Sequence, residues 1–114
     1  MRRIATIRRR TIVTLPRTRH YVGQPPPDGE RRLLPLATLV VMMTRAPYEG
    51  VFLYRYTDEG KPAGDTWHAN IEDAEHQLAF EFGSEVGAWI EVPPEVKDEV
   101  DFGLTVLRED RETE

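Results

Sequence analysis

The sequence contains no cysteine, one serine, two lysines and no apolar run long enough to cross a membrane. The lack of cysteine excludes a disulfide framework, a thiol nucleophile and a cysteine-ligated metal. Ser84 stands outside any Gly-x-Ser-x-Gly motif and has no base beside it in the sequence, so nothing indicates a serine nucleophile. No glycine-rich loop follows an expected strand, so the pattern of a phosphate-binding loop is missing as well.

What the sequence does contain is a strong separation of charge. Its 114 residues are enough for one domain with a hydrophobic core and too few for two. Residues 1–32 carry nine arginines and two acidic residues, a net charge of +7. Residues 33–114 carry six basic and eighteen acidic residues, a net charge of −12. This division predicts a basic N-terminal arm, residues 1–32, joined to an acidic body.

The basic arm has weak structural signals. Its β-branched residues 11–14 favour one short strand, and three consecutive prolines within residues 23–29 favour a turn or linker. We therefore expect the arm to be disordered or to form one strand, and it could also fold back on the acidic body. Its positive charge could bind nucleic-acid phosphates, through the candidates Arg8, Arg9, Arg10, Arg17 and Arg19.

Residues 33–43 form the most apolar run of the chain. A transmembrane helix needs about 18 or more apolar residues, so this run is too short. It has the length of the apolar part of a secretory signal, but the polar segment before it is long and residues 44–46 make a poor cleavage site. The pattern favours a buried strand over residues 36–44. Met42 or Met43 could also be the true start of the protein, in which case the arm is not part of it.

A β-hairpin is the clearest element. Residues 51–56 are rich in β-formers and residues 64–69 form the returning strand, separated by a turn in which Gly60 can supply a positive φ. Side chains alternate between the two faces of the first strand. One face carries Phe52, Tyr54 and Tyr56, and the other carries Val51, Leu53 and Arg55.

An amphipathic helix over about residues 70–82 follows the hairpin. Asn70 is a helix N-cap, and Asp73 stands three residues later in a variant of the capping box. The apolar positions recur at spacings of three, four and four, and they are Ile71, Ala74, Leu78 and Phe82. Gly83 is expected to end the helix in a left-handed conformation.

The remaining pattern completes an α+β fold. Residues 88–92 predict a short strand, and the alternation of apolar residues over 100–106 predicts one more. The fold class expected is therefore α+β, a mostly antiparallel sheet of four to six strands with one helix packed on one face, the face of the hairpin aromatics. The single domain spans residues 33–107, and residues 108–114 form a charged, frayed tail.

A resemblance rests on the hairpin and the helix. Residues 52–56, the Gly-Asp-Thr-Trp-His segment of residues 64–68, residues 72–75, residues 80–83 and Trp89 together resemble a group of small uncharacterised bacterial proteins. The match covers about residues 46–92. The resemblance implies the hairpin-and-helix fold, and it implies no activity because none is established for that group.

The densest polar cluster lies at the junction of hairpin and helix. His68 stands near the end of a strand, and Glu72 and His76 lie one turn apart on the helix, so the three are candidate metal ligands. The same residues also have ordinary roles as strand and helix-start side chains. His68 and Asp65 point to opposite faces of a regular strand, so they do not form an acid–base pair. No cofactor is expected.

The sequence therefore favours a protein that binds other proteins over an enzyme. Aromatic residues on the sheet face that the helix leaves open would form a contact surface, unless they fill the core. The candidates are Tyr48, Tyr54, Tyr56, Trp67 and Trp89. We expect a cytoplasmic binding or regulatory module, a homodimer or bound to a protein partner. The two alternatives are a nucleic-acid binder that uses the arm and a small metal-dependent enzyme that uses His68, Glu72 and His76.

Overall fold

The computed structural model describes residues 1–8, 21–23, 31–33 and 36–112, and it describes residues 21–23 and 31–33 by their backbone alone. Within these residues the chain forms seven strands and two α-helices. The strands are β1 (Arg2–Thr6), β2 (Tyr21–Gly23), β3 (Arg31–Leu33), β4 (Leu39–Met43), β5 (Val51–Tyr56), β6 (Pro62–His68) and β7 (Ile90–Glu91), and the helices are α1 (Ile71–Phe82) and α2 (Glu99–Glu112).

Five of the described strands form one antiparallel sheet in the order β6-β5-β4-β1-β7. Strands β2 and β3 pair with each other in a separate two-stranded sheet. The α+β class is confirmed. The strand predicted at residues 11–14 and most of the linker predicted at 23–29 lie outside the described residues.

The centre of the sheet is the apolar strand β4, as the composition of residues 36–44 predicts. Its residues 39–42 are completely buried, because β4 has a neighbouring strand on each side and a helix over each face. This placement accounts for an apolar run in which no polar alternation appears.

The predicted boundary between arm and body is wrong at the start of the chain. Strand β1 lies inside the sheet between β4 and β7, and its Ile4 and Ala5 are completely buried. The arginines of β1 bind the body: Arg2 donates to the carbonyl of Pro93 at 3.1 Å and pairs with Glu99 at 3.4 Å. A chain that started at Met42 would lack β1 and most of β4.

The hairpin and the first helix form as predicted. Strands β5 and β6 pair in antiparallel register, and Gly60 in their turn has φ +79°. Helix α1 begins after Asn70, whose side chain accepts the backbone N–H of Asp73 at 2.8 Å. Gly83 ends the helix with φ +59°. The strand predicted at residues 88–92 is present as the shorter β7.

Helix α1 covers the face of the hairpin opposite to the one predicted. It packs on Val51 and Leu53, together with Val40 and Met42 of β4. The aromatic residues of β5 lie on the other face and are only half-buried. The inward side of β5 carries the aliphatic residues Val51 and Leu53 and the charged residue Arg55, whose partner lies on α1.

The last predicted strand is wrong, because residues 99–112 form helix α2. Asp98 caps its start by accepting the backbone N–H of Val100 at 3.0 Å and of Asp101 at 3.2 Å. The apolar residues that alternate along 100–106 also recur at helical spacing, and α2 packs them against Leu39, Val41 and Ile4 of the sheet. The sheet therefore carries a helix on each face.

The predicted frayed tail from residue 108 onwards is wrong as far as residue 112, which is the last described residue of α2. Two contacts hold this end of the helix. Thr6 donates to Asp110 at 3.1 Å, and Arg111 donates both of its terminal nitrogens to Asp58 at 2.9 and 3.0 Å. None of the helices in the described residues is both long enough and apolar enough to cross a membrane.

Substitution of Gly103 tests the packing of α2. A Cβ atom built at Gly103 would lie 2.6 Å from a methyl carbon of Leu39, which is completely buried. We expect Gly103→Val to lower the free energy of unfolding by about 2 kcal/mol through overpacking. Urea denaturation of the purified protein measures this change.

The matched control is Thr105→Val, which introduces the same side chain at an exposed position of α2. Surface substitutions of this kind change stability by about 0.5 kcal/mol or less. Equal stability of the two variants would show that α2 does not approach the sheet at Gly103.

Candidate functional site

The interior between the hairpin and α1 contains a fully buried ion pair. The Nε and Nη2 atoms of Arg55 donate to the two carboxylate oxygens of Glu81 at 2.9 and 2.6 Å, and both side chains have 0% exposure. Such a two-fold contact satisfies the planar guanidinium and the carboxylate together. The pair joins β5 to α1.

Further polar groups extend this pair into what we call the buried polar network, which consists of the fully buried Arg55 and Glu81 and the half-buried Gln77, Thr66 and His68. Gln77 donates to Glu81 at 2.7 Å, and Arg55 donates to the Thr66 hydroxyl at 3.1 Å. The Thr66 hydroxyl lies 2.7 Å from His68 Nε2. In the described part of the chain, no buried side-chain nitrogen or oxygen lacks a hydrogen-bond partner.

His68 lies at the end of the network. Burial, followed by the positive charge of Arg55, lowers the pKa of His68 below its ordinary value of 6.5, while Glu81 and Asp73 act in the opposite direction. A neutral ring with its proton on Nδ1 can accept the Thr66 proton at Nε2. In that tautomer Arg55 donates to Thr66 and Thr66 donates to His68, so these hydrogen bonds lead outward from Glu81.

The opposite face of the hairpin carries four clustered aromatic side chains, which we call the aromatic patch: Tyr48, Phe52, Tyr54 and Trp67. The rings of Phe52 and Tyr54 stack with centroids 5.9 Å apart, and Tyr48 meets Phe52 edge-on at 6.3 Å. Trp67 lies directly across from Phe52 in the β5–β6 pairing. Tyr48 is 69% exposed and Trp67 54% exposed, so the patch faces solvent.

Trp67 is held in place by the loop before β5. Its indole N–H donates to the carbonyl of Glu49 at 2.7 Å. Gly50 has φ +84°, and a Cβ atom there would lie 2.4 Å from the His68 carbonyl and 2.7 Å from the indole nitrogen. A residue without a side chain is therefore required for the indole to lie against this backbone.

The aromatic patch has opposite charges on its two sides. Arg45 follows β4, donates to the Tyr54 hydroxyl at 2.9 Å and places its guanidinium 6.0 Å from the centre of the Tyr54 ring. These contacts raise the pKa of Arg45 above its ordinary value. Asp65 lies on β6, directly across from Tyr54 on its other side, and is exposed. Neither charged group forms an ion pair within the described residues.

The predicted contact residues are divided between this patch and the core. The structure brings Tyr48, Tyr54 and Trp67 together, whereas Tyr56 packs under α2 and Trp89 packs against the α1 side of the core. Burial, with the negative charge of Glu99, raises the pKa of the Tyr56 hydroxyl.

The predicted metal ligands are not assembled. His68 Nε2 bonds to Thr66, and Glu72 and His76 point to solvent on α1. Among the described residues, no group of three or more His, Asp or Glu side chains could hold a metal ion. Of the predicted nucleic-acid contacts, Arg8 is exposed and its backbone N–H bonds to the carbonyl of Glu85 at 2.7 Å. Arg9, Arg10, Arg17 and Arg19 lie outside the described residues.

An open cleft of about 460 Å³ lies at the other end of the sheet, next to the β5–β6 turn. It is lined by Leu36, Thr38, Thr57, Asp58, Glu59, Lys61 and Arg111. Its charged groups form ion pairs with one another: Asp58 pairs with Arg111, and Lys61 pairs with Glu59 at 3.4 Å. Asp58 also accepts a hydrogen bond from the Thr38 hydroxyl. The cleft therefore presents no uncompensated charge that would select a ligand.

Two signals for these sites were present in the sequence. Arg55 alternates with Val51 and Leu53 on the inward side of β5, and Glu81 falls on the helical stripe of Ala74 and Leu78. Opposite charges at two inward positions indicate a buried pair. Arg45 and Gly50 carry no comparable signal, because their roles depend on contacts between different segments.

Comparisons of the chain with protein-family models, with curated proteins and with solved structures return no match.

Removal of one member of the buried ion pair tests its importance. In Glu81→Gln the charge of Arg55 is left buried without a counter-charge, and we expect the free energy of unfolding to fall by about 3 to 5 kcal/mol. The double variant Arg55→Met/Glu81→Leu replaces both charges with apolar groups, and we expect it to regain most of that loss. Equal urea-denaturation curves for Glu81→Gln and the wild-type protein would contradict the role of the pair.

The lowered pKa of His68 predicts a pH dependence of stability. Above pH 6.5 the ring is neutral in both states, so its full contribution is present. As the pH falls below 6.5 the unfolded chain binds the proton first, and the native state loses stability until the pH is below the lowered pKa.

The variant His68→Gln keeps a hydrogen-bond acceptor for Thr66 without titrating. The wild-type protein should lose stability relative to this variant as the pH falls below 6.5, in urea denaturation at a series of pH values. His76→Gln, at an exposed position of α1, is the control and should follow the wild-type curve. A constant difference between wild type and His68→Gln across this range would disprove the prediction.

Proposed function

We propose that the protein is a non-enzymatic binding module that acts through protein–protein contact at the aromatic patch. The observation that carries this proposal is the exposure of Tyr48 and Trp67, which are 69% and 54% accessible although they stand in a cluster of four aromatic rings. Clustered aromatic side chains with an arginine beside them are the residues that contribute most to protein interfaces.

The rigidity of the patch supports the same function. The indole of Trp67 is held by Glu49 and Gly50, and the Tyr54 hydroxyl is held by Arg45. Side chains that are already positioned lose little conformational entropy when a partner binds. An aromatic surface of this kind contributes more binding energy than flexible side chains of the same area.

The position of the acid and base groups supports a non-enzymatic role. Arg55 and Glu81 are the closest charged pair in the described structure and have no exposed surface, so a substrate does not reach them. His68, whose pKa is lowered, bonds to this interior network. The lowered pKa of His68 is explained by burial and by the nearby charge of Arg55, so it does not indicate a catalytic group.

The proposal places the protein in the cytoplasm. The apolar segment that has the length of an export signal contains β4, which is the buried centre of the sheet with a strand on each side. An apolar run that the core requires has a structural explanation that does not involve export.

Photocrosslinking in the cells that produce the protein tests this function. A photoreactive phenylalanine analogue replaces Tyr48 in the full-length chain, and the control carries the analogue at Ile90, an exposed apolar residue of β7. We expect a discrete protein adduct from position 48 and little or none from position 90, detected by gel shift and mass spectrometry. Equal labelling from both positions, or no protein adduct from position 48, would refute a contact at the patch.

A further inference from the structure

We propose that the partner at the aromatic patch is a second copy of this chain, packed face to face about a twofold axis that runs parallel to β5. This inference rests on the proposed function, because it names the partner of the same surface. It follows from the arrangement of charge around the aromatic rings.

A twofold interface must be complementary to itself, so that a residue on one side contacts a different residue of the second copy and the reverse contact is also made. The patch meets this condition. Its surface is made largely of aromatic rings, among them Phe52, Tyr48 and Trp67. Its sides carry one positive and one negative residue, Arg45 towards β4 and Asp65 on β6.

The two charges lie on opposite sides of the same ring. Asp65 is paired with Tyr54 across the β5–β6 ladder, and Arg45, which bonds to the Tyr54 hydroxyl, lies in the segment that follows β4, the other neighbour of β5. A rotation by half a turn about an axis along β5 exchanges left and right. Arg45 of each copy then faces Asp65 of the other, and the aromatic rings meet at the centre.

The charges that would form these pairs are available. Asp65 and Arg45 are both exposed, and neither takes part in an ion pair within the described part of the chain. Arg45 already bonds to Tyr54, which holds its guanidinium beside the rings and leaves donors for a carboxylate. Each dimer would contain two such pairs.

The surroundings of the patch also fit a second copy. Helix α2 contacts β1 and β4 on this face, so the described structure leaves this end of β5 and β6 uncovered. Strand β6 is an edge of the sheet, and within the described residues no strand pairs with its outer side. A nucleic acid fits this surface less well. The acidic residues Glu49 and Asp65 stand beside the patch, and they would repel phosphate groups that Arg45 attracts.

Charge exchange tests this inference in the full-length chain. Arg45→Asp and Asp65→Arg each place two pairs of like charges in the proposed dimer, since every substitution occurs twice. We expect wild-type protein to be a dimer at tens of micromolar by sedimentation velocity and light scattering. We expect the dissociation constant of the dimer to be at least about tenfold higher for each single variant than for the wild-type protein. The double variant Arg45→Asp/Asp65→Arg restores the opposite charges and should recover the dimer.

The control Lys61→Asp makes the same change in net charge as Arg45→Asp, at the β5–β6 turn far from the patch, and should leave the dimer unchanged. Urea denaturation of every variant shows that the fold is kept. A monomeric wild-type protein, a dimer that tolerates both single reversals, or failure of the double variant to recover would overturn the inference. Crosslinking from position 48 to a different protein would overturn it too, and would leave the proposed function in place.

Discussion

The placement of helix α1 on the sheet is constrained by one buried ion pair, between Arg55 and Glu81. Two charges without any exposed surface are tolerated only when each satisfies the other in good geometry. The pair therefore determines where α1 lies: the helix must cover the face of β5 that carries Arg55, with Glu81 turned inward. Gln77 and Thr66 complete the hydrogen bonds that the pair leaves open. A shift of the helix by one residue would turn Glu81 away from Arg55 and leave the charge of Arg55 buried without its partner.

The surface of the protein follows from that placement. Because α1 takes the Arg55 face, the aromatic residues of β5 lie on the opposite face, where α2 covers β1 and β4. Trp67 and His68 are neighbours on β6 and point to opposite faces, so one strand carries both the exposed indole and the end of the buried network. Gly50 packs against both residues. The buried polar network and the aromatic patch thus share one edge strand.

Local patterns succeeded where neighbouring residues carry the whole signal. The hairpin, the capped start of α1 at Asn70 and the apolar strand β4 follow from turn residues, capping and hydrophobicity, and the structure has all three. Predictions from local patterns failed where one pattern is compatible with both a strand and a helix. Apolar residues at alternate positions over 100–106 fit a strand, but the same residues and the cap at Asp98 fit a helix. The arginines of β1 concealed a strand because their partners, Glu99 and Glu91, are distant in sequence.

The sequence by itself determined the α+β class, the hairpin, the residue range of α1 along the chain and three of the aromatic residues that meet at the patch. The tertiary structure decided which face each helix covers, that β1 belongs to the sheet, and which aromatic residues are exposed. The physical reason is that capping, turns and periodicity act between neighbours in the chain. The pairing of a buried charge and the coverage of a sheet face depend on contacts between distant segments, such as Arg55 with Glu81 and Gly103 with Leu39.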